Sequence, residues 1–243
     1  MATLEEKNRE VFDAQAASYD GKPHLVKMAA AVAARICETV DVGGKMCLDV
    51  GCGTGLVSQH VAAAARMTYG VDVSPAMAAA YNAKAAADEQ LRGRMAAAVV
   101  SLFDPAAVAA AAAEGRLPAP GTVEVAWSSM VLHHLHDCAA FAAAVAPFLA
   151  PGGKLLLFDL LKTPGFNIMH LTPPSAADAA ARHSVGHPEG FLEADVAALL
   201  AAAGLRLAAF EARAVSYEPQ ILVDGRAQPG AFPMFMAVAE RPA

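Results

Sequence analysis

From Lys45 to Leu160 the chain alternates short apolar runs with longer alanine-rich stretches, at a pitch that suits strands followed by helices. The runs predict strands over 45–50, 67–73, 95–101, 122–128 and 153–160. The stretches between them predict helices over about 55–66, 75–91, 105–114 and 137–149. Pro118-Ala119-Pro120-Gly121 and Ala150-Pro151-Gly152-Gly153 read as turns that end a helix before a strand. Strand–helix alternation of this kind places a parallel sheet between two layers of helices. Ahead of it, residues 4–17 and Pro23 to Val40 read as helices, the second ending near Gly43-Gly44. Behind it the pattern fails from Lys162 to Gly190, where Pro164, Gly165, Pro173, Pro174, Gly186 and Pro188 interrupt every period. A helix from Phe191 to Ala203 then ends at Gly204, and strands near 205–213 and 232–240 close the chain. No linker divides it. The expectation is one domain over 1–243, with an N-terminal helical cap (1–44), a ligand-binding core (45–160), a cap insertion (161–190) and a closing helix with two strands (191–243).

Composition narrows the function. A chain of 243 residues can bury one sizeable core. Its 56% hydrophobic content is inflated by alanine, which forms helices but buries little area. No apolar stretch approaches the ~18 residues a membrane span needs, so none is expected. The charged start MATLEEKNRE has no signal-peptide core. Cys37, Cys47, Cys52 and Cys138 show no C-x-x-C spacing, which reads as reduced thiols in a cytoplasmic protein. A net charge of −6 without a dense Lys/Arg cluster argues against a nucleic-acid partner.

The chemistry concentrates in Lys45 to Ser58, KMCLDVGCGTGLVS. An apolar run reaches Asp49-Val50, then Gly51-Cys52-Gly53-Thr54-Gly55 turns, and an apolar segment resumes at Leu56. Glycines here allow positive φ and close approach of a ligand, and a helix N-terminus offers unpaired N–H groups. The loop lacks the Gly-Lys-Ser/Thr of a nucleotide triphosphate loop. It also lacks the last glycine of the dinucleotide fingerprint, because Leu56 occupies that place. The string LDVGCGTG resembles the first motif of class I S-adenosylmethionine-dependent methyltransferases, of the small-molecule type with ubiquinone/menaquinone-methyltransferase-like motifs. The resemblance covers roughly Phe12 to Glu240 and implies a doubly wound, Rossmann-like α/β fold. Its seven-stranded sheet is mostly parallel, with the last strand inserted antiparallel. It also implies that Asp49, Gly51, Cys52, Gly53, Thr54 and Gly55 belong to the cofactor site.

Asp72, at the end of the second strand and about 20 positions past the first glycine, suits the ribose hydroxyls. Methyltransferases and nicotinamide enzymes both use such a residue. The rival role of helix cap is already filled by Ser74 before Pro75. Val73 and Met77 would lie along the adenine. In the family the third strand commonly ends in an acidic residue on the adenine amino group. Ser101 stands there instead, with the Leu102 N–H beside it, while Asp104 before Pro105 reads as a rival contact or as a helix cap. Ser129, Met130 and His134, after the fourth strand, resemble the segment under the methionine half of the cofactor. His133 is either a proton acceptor near the methyl acceptor or a packed wall residue. Neighbouring histidines point about 100° apart on a helix, so no metal site is expected. Phe12-Asp13-x-x-Ala16-x-x-Tyr19-Asp20 resembles the family's opening, in which the tyrosine closes over the cofactor. His170, His183 and His187 are either acceptor contacts or loop histidines.

These readings imply methyl transfer from S-adenosyl-L-methionine to a small-molecule acceptor by in-line displacement, with S-adenosyl-L-homocysteine as product. Residues 1–30 and 163–190 would roof the methyl group, with Tyr19 and one of His170, His183 or His187 facing it. Binding of S-adenosylmethionine without methyl transfer, other chemistry on the same cofactor, and a nicotinamide-dependent oxidoreductase remain as alternatives.

Overall fold

The computed structural model describes residues 2–170, 184–223 and 226–243. Two helices come first, α1 (Leu4–Tyr19) and α2 (Pro23–Thr39). The core then alternates as β1 (Met46–Val50), α3 (Ser58–Val61), β2 (Met67–Asp72), α4 (Pro75–Ala87), β3 (Met95–Val99), α5 (Pro105–Ala113), β4 (Val123–Ser129), α6 (Cys138–Val145) and β5 (Leu149–Leu160). Further along the chain come α7 (Glu193–Ala202), β6 (Arg206–Tyr217), β7 (Gln220–Val223), β8 (Arg226–Pro229) and β9 (Phe232–Glu240). Seven strands form one sheet in the order β3-β2-β1-β4-β5-β9-β6. The β1, β2, β3, β4 and β5 pairings are parallel, whereas β9 runs antiparallel to both β5 and β6. The expected fold class is the one observed.

The inner strands are buried on both faces, whereas the edge strand β6 is largely exposed, and strand periodicity sorts the buried side chains. Leu155 and Leu157 of β5, with Phe235, Ala237 and Ala239 of β9, pack toward α5, α6 and α7. Leu156 and Phe158, with Met234, Met236 and Val238, pack toward α2 and α3. Period-2 alternation with both sides apolar is what a doubly covered sheet requires. On α2 the buried positions are Leu25, Met28, Ala29, Val32, Ala33 and Ile36, one stripe at helical spacing. Tyr81 and Ala85 of α4 pack with Cys52, Leu91 and Met95 in a third cluster behind the glycine turn.

Several boundaries differ from expectation. Of the helix expected over 55–66, only Ser58–Val61 is α-helical, because the chain first spends residues 51–55 on three positive-φ glycines and has no side-chain cap. Helix α4 stops at Ala87 rather than 91. The Ala150–Gly153 turn lies within the span of β5, where pairing with β4 shifts register between Val123 and Val125. The β7–β8 hairpin was not expected from the pattern. Past β5, Leu161 bridges Phe191, and the Lys162 N–H donates to the Phe191 carbonyl. Among the described residues no helix is long and apolar enough to cross a membrane, and no group of three His, Cys, Asp or Glu side chains is placed to hold a metal ion.

Candidate active site

The carboxyl ends of β1 to β4 open into a cavity of about 590 Å³, within the usual range of small-molecule sites. Its floor is the glycine turn. Gly51, Gly53 and Gly55 have φ of 71°, 51° and 80°. A Cβ at Gly51 would run into Val131, and one at Gly55 would come within 2.5 Å of Met95 and 2.7 Å of Tyr81. A Cβ at Gly53 would meet nothing within 4 Å. Two of the glycines are therefore required by packing, and Gly53 is the one that leaves room on the cavity side.

The amides of this turn are largely spent internally. Gly51 and Cys52 donate to the Val71 carbonyl at 2.8 and 3.0 Å, Gly55 to the Cys52 carbonyl at 2.9 Å, and Gly53 to Asp72 at 2.8 Å. The sequence placed unpaired donors at the start of the following helix, but there the Gln59 and His60 N–H groups donate to the Gly55 and Val57 carbonyls; the turn supplies close approach and a fixed Asp72. That carboxylate is gripped at both oxygens, Oδ2 by the Gly53 N–H and Oδ1 by the Ser74 N–H at 2.8 Å, yet it lines the cavity. Burial pushes its pKa up, and the Ser74 and Gly53 N–H groups oppose the rise. Each oxygen keeps a further lone pair for an incoming hydroxyl.

Other motif residues stand behind the wall. Asp49 is buried and accepts from the Ser58 hydroxyl at 2.6 Å; burial lifts it to about 7 against that hydrogen bond. The Cys52 thiol is buried in the Tyr81 cluster, and burial raises it further. The Thr54 hydroxyl donates to Asp20 at 2.5 Å. Ser101 donates to Glu5 at 2.7 Å, and Asp104 caps α5 through the Ala106 and Ala107 N–H groups. Asp49, Cys52, Thr54, Gly55 and Ser101 thus shape the turn and roof without lining the cavity. Tyr19, Gly51, Gly53, Asp72, Val73, Met77, Leu102, Ser129, Met130 and His134 do line it.

The wall after β4 carries strain and two histidines. Met130 has φ of 59°, the one positive φ of a non-glycine among the described residues, and its N–H donates to the Phe158 carbonyl at 2.8 Å. Such a conformation costs about 1–3 kcal/mol and is found where a site needs a fixed turn. Ser129 Oγ is buried on the cavity wall with no hydrogen-bond partner among the described residues. His133 is buried off the cavity: its Nδ1 lies 2.7 Å from Asp159 Oδ1, and its backbone N–H donates to Oδ2. Burial would raise Asp159, but His133 and the N–H donors of Leu160 and His133 hold it below the usual carboxylate range. His134 faces the cavity. Its Nδ1 lies 2.9 Å from the Ser184 carbonyl, which can only accept, so Nδ1 bears the proton and Nε2 keeps its lone pair. Burial, and then the neighbouring His133, depress His134 to about 3. Of the two roles offered for His133, the geometry fits packing behind the wall rather than a base in the cavity, and the ring that reaches the cavity is His134.

The roof is α1. Thr3 and Glu6 form a capping box that fixes its start. The Asn8 amide donates to the His134 carbonyl at 2.9 Å, Asp13 accepts from Ser74 Oγ at 2.6 Å and Ala76 N at 3.0 Å, and Asp20 pairs with Lys84 at 2.9 Å. Leu4, Glu5, Asn8, Phe12 and Tyr19 line the cavity from this helix. Ahead of α7, the Gly186 and His187 N–H groups donate to the His133 carbonyl, and the His187 ring packs on Phe191 away from the cavity. The His170 side chain and His183 lie outside the described residues. Sequence reading missed Glu5 and Asn8; the capping box marked a helix start there but carried no sign of what the helix covers.

Comparison with known proteins agrees with this geometry. The family described as a methyltransferase domain matches residues 25–209. "Uncharacterized methyltransferase C1347.09" of Schizosaccharomyces pombe is 33% identical over 150 residues, 61% of this chain and 49% of that protein, so the chain spans about half that relative's length. A ubiquinone biosynthesis O-methyltransferase of Xanthomonas euvesicatoria pv. vesicatoria is 29% identical over 74% of this chain and 70% of its own. A chain of the solved structure "Complex between the Haloferax volcanii Trm112 methyltransferase activator and the putative methyltransferase" shares the fold with a TM-score of 0.67 at 17% identity, covering 97% of both chains. With the sheet order, the glycine turn and the family match in agreement, the chain belongs to the methyltransferase-domain family, of the class I S-adenosylmethionine-dependent type.

Proposed function

We propose that the protein transfers the methyl group of S-adenosylmethionine to a small organic acceptor enclosed beneath α1, releasing S-adenosylhomocysteine. The carrying observation is the conjunction, on one cavity, of open space at Gly53, a carboxylate at Asp72 gripped yet unsaturated, and an unpartnered buried hydroxyl at Ser129. These fit the cofactor: Asp72 would accept from the ribose hydroxyls, Gly53 would let the chain of the ligand pass, and Ser129 would pair with a polar group of its amino-acid end. When bound, S-adenosylmethionine supplies a methyl carbon already activated by the sulfonium. The protein's part is then alignment, exclusion of water and disposal of any acceptor proton.

We assign the contact with that proton to His134 Nε2 rather than His133: the ring stays neutral down to about pH 3, so it orients the acceptor by accepting its hydrogen bond, and the proton leaves to solvent. His134 presents a neutral imidazole with its other nitrogen tied to Ser184, whereas His133 is turned toward Asp159 and holds the wall in place. The apolar surfaces of Leu4, Phe12, Leu135 and Phe141 favour an acceptor with an apolar body. The name of the Xanthomonas relative makes an oxygen acceptor the first to try.

Calorimetry with S-adenosylhomocysteine and NAD, followed by labelled-methyl transfer to a panel of catechols and phenols, tests the reading. Micromolar binding of S-adenosylhomocysteine and none of NAD is expected. Tighter binding of NAD would sink it.

A further inference from the structure

We infer that Glu5, on the roof helix, recognises the amino edge of the adenine, so that closing α1 and reading the base are one event. This rests on the proposed use of S-adenosylmethionine. The sheet order places β3 and β4 on opposite flanks of β2 and β1. With the ribose at Asp72, at the end of β2, a bound nucleoside must send its two ends to those two flanks. The β4 flank carries the unpartnered Ser129 hydroxyl and suits a zwitterionic amino-acid end. The β3 flank is walled by Val73, Met77, Val100, Leu102 and Phe103, two of them next to Asp72 or one turn beyond it, and suits a flat apolar ring.

Of the polar residues that α1 and its cap bring to the lining, Thr3 is committed to the Glu6 capping box and the Asn8 amide to the His134 carbonyl after β4, whereas Glu5 reaches the β3 side. Its Oε2 accepts from Ser101 Oγ at 2.7 Å, a hydroxyl just beyond the end of β3, which fixes the carboxylate over the strand. Glu5 is half-buried, so the carboxylate is partly screened from water. The remaining carboxylate lone pairs can only accept. Among the described residues no acceptor takes the neighbouring Leu102 N–H. A fixed acceptor beside an available donor matches adenine, whose 6-amino group donates and whose N1 accepts. It opposes hypoxanthine, whose 6-oxo group accepts and whose N1 bears a hydrogen. The acceptor is absent from the strand and comes from a residue 96 positions away.

Titration calorimetry of the full chain with S-adenosylhomocysteine and with S-inosylhomocysteine tests this. The wild type should favour the adenine ligand by about tenfold to a hundredfold, the range for one charged hydrogen bond. Glu5→Gln keeps the side-chain shape and can turn its NH₂ toward a 6-oxo group, so the preference should fall below about threefold. Ser101→Ala, which frees the carboxylate from its tether, should give an intermediate preference. If Glu5→Gln weakens both ligands equally and the preference persists, Glu5 only holds the lid and the inference is overturned. Wild type that binds neither ligand would instead overturn the proposed function.

Discussion

At the scale of single residues, the three glycines of one short motif answer to different forces. Gly51 is held by Val131 and Gly55 by Tyr81 and Met95, whereas Gly53 faces open space. Gly51→Ala should therefore lose stability through both strain and overlap, about 2 kcal/mol or more. Gly53→Ala should lose only about 1 kcal/mol for its positive φ but weaken S-adenosylhomocysteine at least about tenfold. Urea unfolding and calorimetry on the pair would separate packing from binding; equal losses of stability would count against the division. Titration offers a second test. Asp49 is raised to about 7, so the native state holds a proton that the unfolded chain has already lost, and stability falls as pH rises from about 4 to about 7. His134 is lowered to about 3, so only the unfolded chain takes the proton below about 6.5, and stability falls as pH drops from 6.5 toward 3. The two slopes oppose each other, each at most about 1.4 kcal/mol per pH unit. Asp49→Asn removes the first, so its stability should climb more steeply from pH 4.5 to 6.5 than that of the wild type. Unfolding curves at the two pH values that show an equal or shallower climb would contradict this.

Among the elements, α1 has the least ordinary attachment. Its buried residues are Asn8 and Gln15, so it does not sit on the fold by an apolar stripe as α2 does. It is fastened by discrete polar links to the ends of β3 and α4, to the His134 carbonyl and to the glycine turn. Polar links that water can replace are worth about 0.5–1.5 kcal/mol each, so α1 is held less firmly than a helix seated on an apolar stripe. Asp13→Ala removes both contacts to the start of α4 and should speed proteolytic cleavage within the first 22 residues of the free protein. Saturating S-adenosylhomocysteine should restore protection, because α1 supplies cavity wall. Cleavage unchanged by the substitution would mean that the helix is held by something else.

For the molecule as a whole, the cavity joins parts that share little else: the carboxyl ends of β1 to β4, the start of α6 and the roof. Ligand binding should therefore stabilise the fold globally rather than one loop. At a concentration one hundred times Kd the gain is about 2.7 kcal/mol, or roughly 5–10 °C in Tm for a chain of this length. Thermal scans with S-adenosylhomocysteine should show one transition moving upward, and a transition that splits would indicate that roof and sheet respond separately.

Much of this architecture was legible in the chain because its signals are local. Period-2 and period-3.6 patterns announce strands and helices without reference to distant residues, and the spacing LDVGCGTG to Asp72 spans one strand–turn–helix–strand unit. What failed was whatever depends on which way a residue faces. Asp49, Cys52, Thr54 and Gly55 sit inside the motif yet turn from the cavity, because Ser58, Tyr81, Asp20 and Met95 claim them from other elements. His133 and His134 are equivalent on paper; Asp159, 26 positions on, captures the first and leaves the second on the wall. Glu5 had no signal at all, since its partner Ser101 is brought to it only when α1 folds across the sheet. The chain by itself determined the sheet, the glycine turn and the carboxylate of Asp72 at the end of β2, which arise from backbone geometry and short-range order. The tertiary structure alone decided the division of the glycines, the choice between the histidines and the roof's carboxylate, because each is settled by contacts between segments that the sequence keeps far apart.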